Sequence, residues 1–213
     1  GPAPLDPAFA IELVNQINEQ TDRARNIVRS LLEFSRTMEF KKQALPLRDL
    51  LEETIRFIKG QIPKNVTITL DVPYSLSITA DKQRIQQAFL NIIKNAIEAI
   101  QGEGSISISA RKQRAMDKVD DDTGITTYLN YRGKCTLEDD TVDIEIRDSG
   151  AGIATEVLPK VFDPFFSTKD VGKGSGLGLY IVHEIIDEHD GCIAVNSEPG
   201  KGATFLIRLP VKG

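Results

Sequence analysis

Val142, Ile144 and Ile146 alternate with polar neighbours, and the run ends in Asp148-Ser149-Gly150-Ala151-Gly152-Ile153. No other stretch narrows the possible folds as far. A period of two marks a half-buried β-strand over Val142–Arg147. A carboxylate then stands where the strand ends, followed by two glycines one residue apart. Glycine permits positive φ and close approach of a ligand to bare backbone. One carboxylate beside such backbone suits a flat ligand that offers a hydrogen-bond donor. A strand followed by G-x-G also opens the dinucleotide-binding fingerprint. That reading meets two objections. The third glycine position is Thr155, and Asp148 would repel a pyrophosphate. Taken alone, the stretch is equally compatible with an Asp-Ser-Gly turn that holds no ligand.

The 213 residues suffice for one sizeable core and an appendage. Hydrophobic residues make up 40% and charged residues 27%, the balance of a soluble globular protein. A net charge of −5 gives no electrostatic basis for binding nucleic acid or an anionic membrane. No apolar run approaches the roughly 20 residues of a membrane span. Cys135 and Cys192 lie far apart without metal-ligand spacing, which favours a reducing, cytoplasmic setting. Gly1-Pro2-Ala3 resembles the scar of a cleaved fusion tag, so the chain is expected to be a piece of a longer protein whose membrane attachment, if any, lies upstream.

From Asp6 to Phe40 the spacing predicts one long helix. Ala10, Val14, Ile17, Thr21, Ala24, Val28, Leu31 and Ser35 form a seam with alternating steps of four and three. So wide an apolar face needs partner helices, most simply in a bundle or homodimer. After Pro46, Leu47, Leu50, Leu51, Ile55 and Ile58 mark a second amphipathic helix. Short strands are expected at Val66–Leu70 and Ser75–Thr79. Asp81 is placed to cap a helix over Lys82–Ile100. Its apolar face carries Ile85, Phe89, Ile92, Ile93 and Ala96, while Asn91, Asn95 and Glu98 share a separate stripe. That stripe could present oxygens to a hard cation such as Mg²⁺ or simply face solvent.

A strand at Ile106–Ala110 precedes Arg111–Thr141, a long connection read as a loop or an extended hairpin through Ile125–Tyr131 and given no catalytic role. A short helix is expected at about Thr155–Lys160. Next come three phenylalanines around Pro164, then alternating Gly172, Gly174, Gly176 and Gly178 leading into a helix at Leu177–His189. The glycines are not a Walker A loop, because Gly174 follows Lys173 where Ser or Thr should stand. They do lead to helix N-terminal N–H groups suited to phosphate. Cys192–Val195 and Ala203–Leu209 close the chain as strands. The sum is an α+β fold: one mixed, mostly antiparallel sheet of about five strands, covered by helices on one face and preceded by the long helix.

Five stretches in order resemble the ATP-binding domain of sensor histidine kinases, in the GHKL ATPase superfamily. Asn91-Ile-Ile-Lys-Asn-Ala-Ile-Glu98 resembles the N box. Asp148–Gly152 and Gly174–Leu179 resemble the first two glycine boxes, Phe162–Phe166 the F box, and Gly200–Thr204 the last glycine box. Spacing fits from about Leu47 to Pro210. The resemblance implies a two-layer α/β sandwich over residues 46–213. Residues 1–45 would hold only the second helix of the dimerisation hairpin. The phosphoacceptor histidine sits on the first helix in that family. Only His183 and His189 occur here, expected as a surface residue and a helix C-terminal residue, and neither matches the phosphoacceptor motif.

The resemblance also implies roles. Asp148 would accept the adenine amino group of ATP or ADP, with Gly150, Gly152 and Ile153 against the base and Thr204 in support. Phe162, Lys169, Leu177 and Leu179 would complete the pocket. Gly174, Gly176 and Gly178 would face the phosphates. Asn95 would hold Mg²⁺, Asn91 and Lys94 would lie near the phosphates, and Glu98 would assist. Guanine offers an acceptor at the amino position, which costs about 1–3 kcal/mol, a discrimination of roughly 5- to 150-fold. Branches of the superfamily that hydrolyse ATP carry a glutamate where Asn91 stands. Asparagine is a poor general base, so the γ-phosphoryl group would be kept for a histidine and relayed to a response-regulator receiver domain. Two alternatives remain open in the sequence: an anti-sigma-type protein-serine kinase, and a nucleotide-responsive regulatory module without transfer.

Overall fold

The computed structural model describes residues 6–35, 40–114, 127–129, 140–168 and 175–211. In chain order the elements are α1 (Pro7–Ser35), β1 (Gln43–Pro46), α2 (Leu47–Ile58), β2 (Val66–Asp71), β3 (Ser77–Ala80), α3 (Lys82–Ala99), β4 (Gly104–Gln113), β5 (Thr127–Leu129), β6 (Thr141–Asp148), α4 (Gly178–Glu188), β7 (Cys192–Ser197) and β8 (Ala203–Pro210). Single 3-10 turns follow α2 and precede the F box, the latter at Leu158–Lys160, inside the expected short helix.

The main sheet runs β2-β4-β6-β8-β7-β5. Only β2 and β4 are parallel; the other pairings are antiparallel. Five long strands with β5 at one edge match the expected mixed sheet. Two details differ. The Ser75–Thr79 strand lies at Ser77–Ala80 and pairs with the unforeseen β1 as a separate two-stranded ribbon. Four residues of β1 carry no periodicity long enough to detect. Within the long connection, Thr127–Leu129 adds to the edge at β7; the rest of it lies outside the described residues.

Alternation builds the core. Ile144 and Ile146 of β6, Ile106 and Ile108 of β4, and Phe205, Ile207 and Leu209 of β8 are buried beneath α2, α3 and α4. The apolar stripe of α3 (Ile85, Ala88, Phe89, Ile92, Ile93, Ala96) meets them. Each fully buried large side chain contributes about 1.5–3 kcal/mol. Asp81 caps α3 as expected, its carboxylate accepting the N–H groups of Gln83 and Arg84 at 3.1 Å. Burying this stripe turns the other side of α3 toward the cavity described below.

Two expectations about chemistry are corrected. His183 is not a surface residue: it is 5% exposed, on the buried face of α4, its ring 5.8 Å from that of Phe162. Cys192 is disulfide-bonded rather than a reduced thiol; Cys135, the other cysteine of the sequence, lies outside the described residues. On α1, Val14, Ile17 and Val28 of the seam are each more than half exposed. No helix among the described residues is long and apolar enough to cross a membrane.

Candidate functional site

A cavity of about 810 Å³ opens between α3, the end of β6, the F-box loop and the N-terminus of α4. The polar stripe of α3 forms one wall, where Asn91, Lys94, Asn95 and Glu98 all line the space. They converge because positions i, i+3, i+4 and i+7 share a helix face, while the apolar face is held in the core. The Asn91 amide nitrogen donates to the carbonyl of Gly178 at 3.3 Å, tying α3 to the first residue of α4. Its amide oxygen takes no hydrogen bond from the described residues. Among the described residues there is no cluster of three His, Cys, Asp or Glu side chains that could hold a metal. Cation binding here would rest on amide and carboxylate oxygens together with the ligand's own.

Asp148, at the end of β6, also lines the cavity and is 4% exposed. Its Oδ1 accepts the N–H of Gly150 at 2.8 Å and of Ala203 at 3.3 Å. Oδ2 takes no hydrogen bond from the described residues. Burial pushes the carboxyl above its usual range, and the two N–H groups offset this only in part. A carboxylate held at such a cost, with one oxygen directed to a cavity, is typical of a binding group.

The glycines serve a purpose the sequence reading assigned differently. A Cβ on Gly150 would lie 2.7 Å from the Ala99 carbonyl oxygen. One on Gly152, where φ is +71°, would strike the Glu198 carbonyl. One on Gly202 would strike the Asp148 carbonyl. These residues let strands and loops cross backbone to backbone, and this wall of the cavity is a consequence of that packing. Gly176 is similarly closed by Phe165, itself at φ +65°. Gly178 alone of this set has open space toward the cavity, with Asn95 4.0 Å away.

The remaining expected residues divide. Gly152, Ile153, Gly176 and Leu179 line the cavity. Phe162 and Leu177 do not line it; both are buried in the core beneath it. Lys169 and Gly174 lie outside the described residues. Thr204 is displaced from its expected place. Alternation along β8 points Ala203 and Phe205 into the cavity and leaves Thr204 opposite Arg147 and Asn196. The final glycine box therefore presents alanine, not threonine, to the site. Ala203, Phe205 and Val157 were missed, although the period of two from Ala203 to Leu209 carried the signal for the first two.

Residues 80–213 match the family described as histidine kinase-, DNA gyrase B-, and HSP90-like ATPase. The sensor kinase CckA of Brucella abortus is 37% identical over 206 residues, 96% of this chain and 20% of CckA. Sensor histidine kinase ZraS of Escherichia coli is 32% identical over 207 residues, 95% of this chain and 38% of ZraS. The chain thus spans well under half the length of these curated relatives. Among solved structures, the catalytic domain of histidine kinase ThkA matches with a TM-score of 0.62 and 29% identity, covering 82% of this chain and 97% of that one. ThkA in complex with the response regulator TrrA matches with a TM-score of 0.65 and 26% identity, over 98% of this chain and 53% of that one.

Proposed function

The chain belongs to the family of histidine kinase-, DNA gyrase B-, and HSP90-like ATPases, and from that premise we propose that it is the ATP-binding catalytic part of a sensor histidine kinase. Residues 46–213 form the catalytic domain, and residues 1–45 carry the second helix of a dimerisation hairpin. The γ-phosphoryl group of ATP passes to a histidine on a helix outside this chain, then to a response-regulator receiver domain.

The observation that carries this reading is the polarity of the cavity. The end of β6 contributes a buried carboxylate with one acceptor oxygen free of protein partners; α3 contributes the Lys94 cation and the amide and carboxylate oxygens of Asn91, Asn95 and Glu98. A base with an exocyclic amine fits the first, and a polyphosphate with its counter-ion fits the second. Asp148 Oδ2 accepts the adenine 6-amino group. Lys94 neutralises phosphate charge. The amide oxygens of Asn91 and Asn95 suit Mg²⁺, which takes one or two protein oxygens and completes its shell with phosphates and water. Bound there, the ion would supply charge neutralisation to the transferring phosphoryl group.

Catalysis then rests on positioning. Asn91 is held by Gly178 and has no basic nitrogen or carboxylate to activate water. A neutral imidazole needs no such base: its nitrogen forms the new N–P bond as the bond from the γ-phosphorus to the bridging oxygen breaks, leaving ADP. Titration calorimetry with ADP and Mg²⁺ tests the pocket: binding is expected in the parent and its loss in Asp148→Ala. Adding ATP and a separate hairpin bearing the phosphoacceptor helix tests transfer. Phosphohistidine supports a histidine kinase, phosphoserine the anti-sigma alternative, and binding without transfer a regulatory module.

A further inference from the structure

Three backbone segments cross behind the carboxylate end of the cavity: 148–153, 197–198 and 200–203. Main chain meets main chain closely there. Gly200 N–H donates to the Ala151 carbonyl at 2.7 Å, and the closeness at Gly152 and Gly202 leaves no room for a side chain. Ser197, the last residue of β7, joins both sides of the crossing. Its Oγ accepts the N–H of Ile153 at 2.8 Å and donates to the carbonyl of Gly202 at 2.7 Å. The side chain is buried, and Ser197 does not itself line the cavity.

We propose that Ser197 is a positioning residue for base recognition, acting through the two segments its hydroxyl ties together. The inference rests on the nucleotide reading given above. One branch is direct: Ile153 lines the cavity beside Gly152, and its N–H is held by Ser197. The other runs through the last glycine turn. Ser197 holds the Gly202 carbonyl, and the next residue, Ala203, donates its N–H to Asp148 Oδ1. That bond and the one from Gly150 determine where Oδ2 points. Ser197 pairs with Ala203 across the β7–β8 ladder, so a shift at one is transmitted to the other.

Removing the hydroxyl leaves the half-buried N–H of Ile153 and the buried carbonyl of Gly202 without their partner. Both belong to the segments that hold Asp148, and neither is bonded to Asn91, Lys94 or Asn95. The effect should fall on discrimination at position 6 of the purine, not evenly on nucleotide binding. A hydroxyl that only stabilised the fold would weaken all nucleotides alike.

The test compares parent, Ser197→Ala and Ser197→Thr by calorimetry with Mg²⁺ and either ADP or inosine diphosphate, which carries an oxygen in place of the 6-amino group. Expected in Ser197→Ala is a fall of about tenfold in ADP affinity, the equivalent of one lost hydrogen bond. The accompanying loss for inosine diphosphate is smaller, so the preference for ADP narrows. Ser197→Thr keeps the hydroxyl and recovers the parent's preference. If Ser197→Ala does not fold, Ser197→Cys, of similar size with a weak donor, is measured in its place, with the same narrowing expected. An unchanged preference in a folded variant overturns the inference and leaves the ATP-binding reading intact. A parent that binds neither nucleotide overturns that reading and the inference with it.

Discussion

Asp148→Asn should invert the base preference of the site while leaving its architecture in place. The introduced amide keeps one acceptor oxygen for the N–H groups of Gly150 and Ala203, which the parent carboxylate takes at 2.8 and 3.3 Å. What changes is the atom aimed into the cavity, from carboxylate oxygen to amide nitrogen, from acceptor to donor. Adenine then loses a hydrogen bond to a charged acceptor, worth about 1.5–3 kcal/mol, and its amino group faces another donor. The sum is on the order of 3 kcal/mol, roughly 150-fold in affinity. Inosine diphosphate in the same register places an acceptor at that point and gains a bond, so it should bind the variant better than ADP does. Calorimetry with both nucleotides reads this directly. A second consequence has the opposite sign. Burial raises the Asp148 carboxyl above its ordinary pKa, so its ionised form destabilises the folded state above that raised value. Asp148→Asn should therefore raise the nucleotide-free melting temperature at neutral pH. The gain should shrink as pH falls through the folded carboxyl's range, because protonation removes the same cost. An Asp148→Asn protein that binds ADP as tightly as the parent and keeps its preference over inosine diphosphate would refute the assignment of this carboxylate to base recognition.

Other perturbations follow from the same geometry. Gly152→Ala combines a φ of +71° with a collision against the Glu198 carbonyl. It should cost more than about 1 kcal/mol in chemical denaturation, whereas Gly60→Ala, with nothing nearby, should be close to neutral. His189 is buried and neutral: Nδ1 meets the Ile185 carbonyl at 2.6 Å and Nε2 accepts the Asp81 N–H at 3.0 Å. Burial lowers its pKa below the ordinary 6.5. Its contribution is therefore complete above about pH 6.5 and is lost as pH falls below that value, where only the unfolded chain gains the proton. In urea titrations at several pH values, His189→Gln should flatten that part of the decline. Asp143, 4% exposed, forms a two-bond fork with Arg208 at 2.9 Å across β6 and β8. Truncating it to alanine should cost on the order of 2–4 kcal/mol by denaturation, with ADP affinity retained by the protein that folds. Through the exposed Val14, Ile17 and Val28, α1 should associate two copies, and Ile17→Asp should shift sedimentation toward monomer without changing ADP affinity.

Much of the architecture was legible without coordinates because its signals are local. The alternation at Val142–Arg147, the capping carboxylate Asp81 and the two faces of α3 are consequences of strand and helix period and of turn chemistry. The ordered boxes between Asn91 and Thr204 pointed to the family because each retains its residue types at a fitting distance. β1 escaped notice because four residues carry almost no periodic information. A strand near β5 is one of two readings of Ile125–Tyr131; its edge position depends on pairing with β7, far later in the sequence.

By itself, the sequence determined the longer elements, the acidic end of β6, the polar stripe of α3 and the absence of a carboxylate at Asn91. Tertiary structure decided what no local pattern contains. It turned Ala203 rather than Thr204 into the cavity, because strand phase is set by pairing with β6 and β7. It buried His183 against Phe162, and it showed that Gly150, Gly152 and Gly202 are needed where chain crosses chain. It also brought Ser197 between Ile153 and Gly202, a meeting of three segments fixed by the packing of the whole sheet. The reason is the same in each case: period and turn chemistry act over a few residues, whereas register and backbone crossings belong to partners distant in sequence.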